Sequence, residues 1–359
     1  MKQIYILPLS FFFILVCGCS KSVYNDEEVD DCELVPVEFS SPRIGVDFGT
    51  KVIDPDSGLA IGNDASGLEI GVYGLETKER LLAWNPDDED SYIQGLVNRH
   101  VTIADGGVIR FDPEVYYPMM STRTYSFYSY HPYEENSDNR QGECSVTFDL
   151  TQGSKDIMWA ESHARRAEVS GYIWNGFNAA YIRKTRTLSD GADYIPSFSF
   201  AHMLTALEFS ALKTEDSDDG IRIVSFDLVD VATKVKLTVA SDNSGESGKV
   251  EAAETGELHL LDLPDGEKYF DPDGSVISTL TLLPEKTYHA RITLAVEGDE
   301  EVRDPLDVVI YTNNSETDYA FKAGYRYKIT VLIKSPIEVD IETSLKDWTP
   351  VNGGSIDVE

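Results

Sequence analysis

Alternation is the feature that most constrains this chain. Apolar side chains return at every second position in one segment after another: Leu68, Ile70 and Val72; Tyr125, Phe127 and Ser129 against Ser126, Tyr128 and Tyr130; Val146, Phe148 and Leu150. Further along come Leu207, Phe209 and Ala211; Val235, Leu237 and Val239; Ala290, Ile292, Leu294 and Val296; and Tyr327, Ile329, Val331 and Ile333. A period of two puts such residues on one face of an extended backbone, so each segment reads as a strand with a buried side. Turn clusters punctuate the strands, among them Asp105-Gly106-Gly107, Asp242-Asn243-Ser244-Gly245 and Asp271-Pro272-Asp273-Gly274. Many short strands with this punctuation predict an all-β chain built of β-sandwiches.

Of the 359 residues, about 325 are expected to be structured, more than one typical core holds, so two domains are expected. Strand density lapses between Glu161 and Ser189, where Ala164-Arg165-Arg166-Ala167 and Asn178-Ala179-Ala180-Tyr181 suit short helices or a long loop. A new run of strands starts with Phe198 and Phe200. The expected division is an N-terminal sandwich over 34–196, with an insertion at about 161–189, and a C-terminal sandwich over 197–359.

The N-terminus adds a different signal. Lys2 is followed by an apolar run from Ile4 to Val16, the layout of a secretory signal peptide. The run falls short of the ~20 helical residues that span a bilayer core. It ends in Val16-Cys17-Gly18-Cys19, which is similar to the lipobox of bacterial lipoproteins. Residues 1–18 are therefore expected to be removed and Cys19 to carry lipid. Each buried methylene of an acyl chain contributes ~0.8 kcal/mol to holding the chain on the membrane. Residues 19–33 are small, polar and acidic, a composition that buries no core and makes a tether.

The charge balance is 30 basic against 63 acidic side chains, net −33. Such an excess excludes nucleic acid, whose phosphates are held by Lys and Arg, and adhesion to an anionic membrane surface. Contact with the membrane is expected through the lipid alone.

Catalytic patterns are missing from the sequence. The six histidines, His100, His131, His163, His202, His259 and His289, never stand at i, i+3 or i+4, so no helical metal pair is predicted. His202 lies in an apolar run and reads as a hydrogen-bonded core or edge residue. No nucleophile elbow or phosphate-binding loop occurs. The chain is read as a non-enzyme with no metal and no cofactor.

Several segments, in order, resemble the fimbrillin-like family of surface lipoproteins from Gram-negative anaerobes. They are Thr50-Lys51-Val52, Ile70-Gly71-Val72-Tyr73, Tyr125-Ser-Phe127-Tyr-Ser-Tyr130-His131-Pro132-Tyr133 and Asp156-Ile157-Met158-Trp159-Ala160. Phe200-x-His202-Met203-Leu204-Thr205-x-Leu207-x-Phe209, Phe321-x-Ala323-Gly324-x-x-Tyr327-x-Ile329-x-Val331 and Trp348-x-x-x-x-Gly353 continue the series. The resemblance implies two tandem transthyretin-like β-sandwich domains in a fimbrial (pilus) subunit or fimbria-associated adhesin at the outer membrane and cell surface. Its partners would be other fimbrial subunits and ligands on host or bacterial surfaces.

In that family, stalk subunits lose an N-terminal strand after a basic residue, and the emptied groove takes a strand from the next subunit. Carried onto this chain, Val35, Val37 and Phe39 belong to the strand that leaves. Lys51 aligns with the family's arginine and Arg43 is the nearby alternative for cleavage. Ile337, Val339, Ile341, Ile356 and Val358 are candidates for the donor strand; Ile337 to Ile341 equally suit a strand that completes the second sandwich. Cys32 and Cys144 remain in the exported chain and form a candidate disulfide. It would close a loop of roughly 110 residues, worth about 4–5 kcal/mol by chain entropy, and would tie the leaving segment down, as suits an anchor or accessory subunit. The alternative is a glycan- or protein-binding outer-membrane lipoprotein that never polymerises, with Trp84 and Trp174 as its stacking platforms.

Overall fold

The computed structural model describes residues 34–44, 65–119, 122–153, 155–169, 172–215, 217, 220–261, 263, 268–296, 298, 303–312 and 320–346. Its first strands are β1 (Arg43–Ile44), β2 (Glu69–Lys78), β3 (Leu81–Leu82), β4 (Arg99–Thr102), β5 (Tyr125–His131), β6 (Ser137–Arg140) and β7 (Glu143–Asp149). There follow β8 (Met158–Ser162), β9 (Ala167–Val169), β10 (Tyr172–Trp174), the single α-helix of the described residues, α1 (Ala179–Thr185), and β11 (Ser199–His202). The rest is β12 (Thr205–Lys213), β13 (Ile221–Ser241), β14 (Val250–His259), β15 (Asp273–Leu282), β16 (Tyr288–Val296), β17 (Leu306–Ile310), β18 (Arg326–Ser335) and β19 (Glu338–Lys346). The chain is all-β, as its alternation predicts.

A seven-stranded sheet runs β1-β11-β8-β5-β2-β3, with β4 also on β2. Both of its faces are covered. Ile70, Val72, Tyr125, Phe127, Met158, Ala160, Phe198 and Phe200 belong to a first core on one face. Tyr73, Leu75, Tyr128 and Tyr130 face a second core, which Cys144, Val146 and Phe148 of β7, and Leu150 just after it, enter from the opposite side. This is why β5 is buried along its whole length. Its sequence carries two interleaved apolar stripes, one for each core, instead of an apolar and a solvated one.

A four-stranded sheet, β15-β12-β18-β19, and a six-stranded sheet, β17-β16-β13-β7-β6 with β14 on β13, make the rest. A third core lies between them, built from Leu207, Phe209, Ile221, Ile223, Phe226, Ile292, Ile329 and Val331 among others. β13 joins the two halves of the molecule. At 21 residues it is roughly 70 Å long, at ~3.3 Å per residue. Its first part, Ile221 to Val229, pairs with β16; its second, Lys234 to Ser241, pairs with β7. Between them the ladder with β14 slips from Leu228 to Val231 and Asp230 takes φ 57°, a left-handed conformation that aspartate tolerates. The slip reads as a bulge, which sharpens the twist and lets one strand serve two cores.

β11 closes the seven-stranded sheet against β8, while β12, after Met203-Leu204, opens the four-stranded sheet. β7, from the N-terminal half, completes a sheet of the C-terminal half. The stretch at 161–189 combines a loop, a β-hairpin and a short helix. Residues 163–166 are irregular and Ala167 starts the β9–β10 hairpin, because Ala164 and Ala167 are drawn into the first core. Asn178 does begin a helix: its side chain caps α1 by accepting from the Tyr181 N–H at 2.8 Å. No helix among the described residues is long and apolar enough to cross a membrane.

Candidate functional site: the N-terminal ribbon and its seat

Residues 34–44 form a ribbon along the first core. Val35, Val37 and Ile44 are buried while Leu34, Glu38, Ser41 and Arg43 are exposed. The period-two reading thus holds for the side chains. A continuous strand does not form, however, because Pro36 has no N–H to give a ladder. In its place the ribbon makes a bridge at Pro36 and Tyr116. Val37 N–H donates to the Val115 carbonyl at 2.8 Å and Tyr117 N–H to the Val35 carbonyl at 2.9 Å. Further on, Ser40 N–H donates to the Pro196 carbonyl and Arg43 N–H to the Phe198 carbonyl, each at 2.9 Å. β1 then pairs in parallel with β11, Arg43 opposite Ser199 and Ile44 opposite Phe200.

Aromatic packing holds the middle. The Phe39 ring stacks on Phe198 at 4.8 Å and meets Phe127 edge-on at 5.0 Å. Beside the ribbon is a cavity of about 270 Å³, lined by Val35, Pro36, Tyr117, Ile182, Arg186 and Ile195 among others. Tyr117 is buried there with its hydroxyl unpaired, and burial pushes its ionisation well above the usual tyrosine range. The ribbon is thus seated between the Val115–Tyr117 segment, the Pro196–Phe200 segment and the α1 insertion. It is held by side-chain burial and a handful of backbone bonds.

Arg43 sits on β1 at the edge of the seven-stranded sheet, its side chain exposed. Lys51, Cys19, Cys32, Ile356 and Val358 lie outside the described residues. Ile337 is 74% exposed in the turn between β18 and β19, where Pro336 breaks the pairing. Val339 and Ile341 lie on β19, paired with Ile333 and Val331, and pack against the third core. β19 is the edge strand of the four-stranded sheet.

Cys144 is a buried free thiol in the second core. Val35, three residues after Cys32, is in the first core on the other face of the seven-stranded sheet. Trp84 is buried in the second core and Trp174 is partly buried against the first. His202 donates or accepts through Nδ1 with Asp156 Oδ1 at 2.9 Å and is buried, the structural role expected of it. Sequence reasoning missed the seat itself. Val115, Tyr117, Pro196 and Ile182 come from separate stretches with no shared spacing, and only the fold brings them to the ribbon.

A profile of the family described as fimbrillin-like matches residues 60–348. The chain belongs to the fimbrillin-like family. The ribbon lies just before the matched span. A Bacteroides uniformis protein named "Putative fimbrium subunit Fim1C" is 25% identical to this fimbrillin-like chain over 346 residues, covering 95% of this chain and 93% of that protein. Among solved structures, a "putative cell adhesion protein" from Bacteroides uniformis is similar with TM-score 0.48 and 21% identity, covering 88% of this chain and 99% of the other. One from Bacteroides ovatus has TM-score 0.47 and 14% identity, covering 88% and 98%.

Proposed function

We propose that this chain is a fimbrial subunit or fimbria-associated adhesin, displayed at the cell surface as a lipoprotein held through Cys19, which assembles by donor-strand exchange. The observation that carries the assembly mechanism is the ribbon of residues 34–44. It presents Val35, Val37 and Ile44 to a core otherwise complete in residues 65–200, and few backbone bonds join it to its seat. Cleavage at Arg43 or Lys51 would free it, opening an apolar groove with unpaired backbone at Val115, Tyr117, Pro196 and Phe198. A strand from another subunit would refill the groove with alternate side chains. Family membership and the Bacteroides uniformis relative, named as a fimbrium subunit, support the same reading.

The donor is assigned to the C-terminal end. Donation of β19 would strip Val339 and Ile341 from the third core, so the tail carrying Ile356 and Val358 is the preferred donor and β19 its root. The two-sandwich division is kept in this proposal, with β13 as the shared strand. Cys144 is taken as free, which leaves the ribbon untethered.

The experiment is to treat full-length chain with an arginine- and lysine-specific protease and run it unboiled on SDS gels. A ladder of oligomers that collapses on boiling, and is lost on deleting residues 347–359, is expected. Complete release of the ribbon with only monomer remaining would sink the exchange mechanism. Mass spectrometry of protein from the native cell surface, reporting the mature N-terminus and any acyl chains on Cys19, tests the anchor separately.

A further inference from the structure

On the solvent side of β13, where β14 and β16 flank it, Asp227 stands opposite His259 on one neighbour and Arg291 on the other. His259 Nδ1 lies 2.5 Å from Asp227 Oδ1. Glu257, two residues earlier on β14, shares the face of His259. One donor atom from each of Asp227, Glu257 and His259 lies within 4.8 Å of the others. The Asp227 side chain is only 10% exposed, whereas that of His259 is 79% exposed. The strand ladder therefore fixes the aspartate, and the other two donors are free to adjust. Arg291 does not close the site: its Nε turns to Asp307 Oδ1, 3.4 Å away on β17.

We propose that Asp227, Glu257 and His259 form a binding site for one divalent transition-metal ion of the zinc type. The donor set selects the class. An imidazole nitrogen with two carboxylates suits zinc and its neighbours, while calcium and magnesium prefer all-oxygen shells. Two donors ~2.1 Å from one tetrahedral ion stand about 3.4 Å apart. Small rotamer changes in the exposed Glu257 and His259 bring the three to that spacing, with the ion taking the place of the proton between His259 and Asp227. Three protein donors leave the remaining positions to water or to a donor from an incoming molecule. The bulge at Leu228–Val231 aids this, because it turns the neighbouring stretch of β13 away and leaves Glu257 opposite no side chain in register. No sequence spacing announces the site, since cross-strand neighbours are 32 residues apart.

Calorimetric titration of the full chain with zinc chloride at neutral pH, in excess magnesium to occupy the exposed acids, tests the proposal. One site per chain is expected, weakened about tenfold or more in His259→Ala and weakened in Glu257→Gln. Both positions are exposed, so the variants should fold as the parent does. A crystal soaked in zinc should show an anomalous peak between the three side chains. Superimposable titrations of the parent and His259→Ala, or zinc found only elsewhere, would overturn the assignment.

Discussion

The ring of Phe39 lies against that of Phe198, 4.8 Å between centroids and 23° between planes. This contact joins the ribbon to the strand on which it is laid, because Phe198 leads into β11 and its carbonyl accepts from the Arg43 N–H. Phe39 is only partly buried, so Phe39→Ala should cost about 2 kcal/mol, below the ~3–5 kcal/mol of a fully buried phenylalanine. The loss should be local. Hydrogen exchange at Val37, Ser40 and Arg43 should quicken while the amides of β12 and β18 keep their protection. Leu34→Ala, at a 53% exposed position, should change neither. Uniformly faster exchange across the chain would show that the ribbon is not a separable unit.

Gly71 on β2 has no room for a side chain. An added Cβ would stand 2.4 Å from Tyr130 Cε1 and 2.8 Å from Asn98 Oδ1. Tyr130 cannot simply step aside, since its hydroxyl donates to Asn98 Oδ1 at 2.7 Å and also lies 2.9 Å from the Glu134 carbonyl. Gly71→Ala should therefore cost about 1–3 kcal/mol by overpacking, read as a lower urea midpoint with an unchanged slope. In a Tyr130→Phe background, where the ring can move, the penalty should shrink. An equal penalty in both backgrounds would place the cost in the strand itself.

Strand content was legible because the physics of a buried face is written locally. Tyr125-Ser-Phe127-Tyr128-Ser-Tyr130 shows both of its stripes to anyone counting by twos. What those stripes face was not legible. Whether Tyr128 meets solvent or Phe148 and Val235 depends on β7 and β13 folding over it, a relation between distant segments. The same holds for the boundary. Phe200 and Phe209 look alike in sequence, yet β11 pairs with β8 and β12 with β15 and β18. Of the candidate site, the alternation of Val35 and Val37 could be read, and the break at Pro36 could have been. Tyr117 and Ile182 could not, because nothing local marks a residue as the wall of a groove.

Cys144 offers a test of the thiol state. Burial is the main influence on its thiol, and the charges of Glu143 and Asp138 add to it; together they push ionisation far above the usual cysteine range. A thiol that stays protonated and enclosed does not react. In the folded full-length chain, iodoacetamide should leave Cys144 unlabelled and should label it once urea has unfolded the protein without reductant. Labelling that needs reductant as well would show a disulfide at this position and would place the chain with tethered, non-exchanging subunits.

His131 should make the protein acid-sensitive in a defined direction. Its Nδ1–H donates to the Glu69 carbonyl at 2.9 Å, and its Nε2 is buried without a partner. Desolvation therefore lowers its pKa, and the Glu69 carbonyl and the charges of Asp156 and Glu69 offset this only in part, while nearby His202 adds to the lowering. The unfolded chain, at the ordinary value of about 6.5, takes up this proton first as pH falls. The stabilisation is thus complete above about pH 6.5 and is lost as pH drops toward the lower folded-state value. His259 works the other way, since its bond to Asp227 raises its pKa; its contribution is present at low pH and fades as pH rises through the raised value. The comparison that isolates His131 is His131→Asn, whose amide nitrogen stands where Nδ1 does, can keep the bond to Glu69 and never takes a proton. Between pH 7.5 and 5, the urea midpoint of the parent should fall more steeply than that of the variant. Parallel curves would mean that the imidazole is not the titrating group and that the fold tolerates its charge.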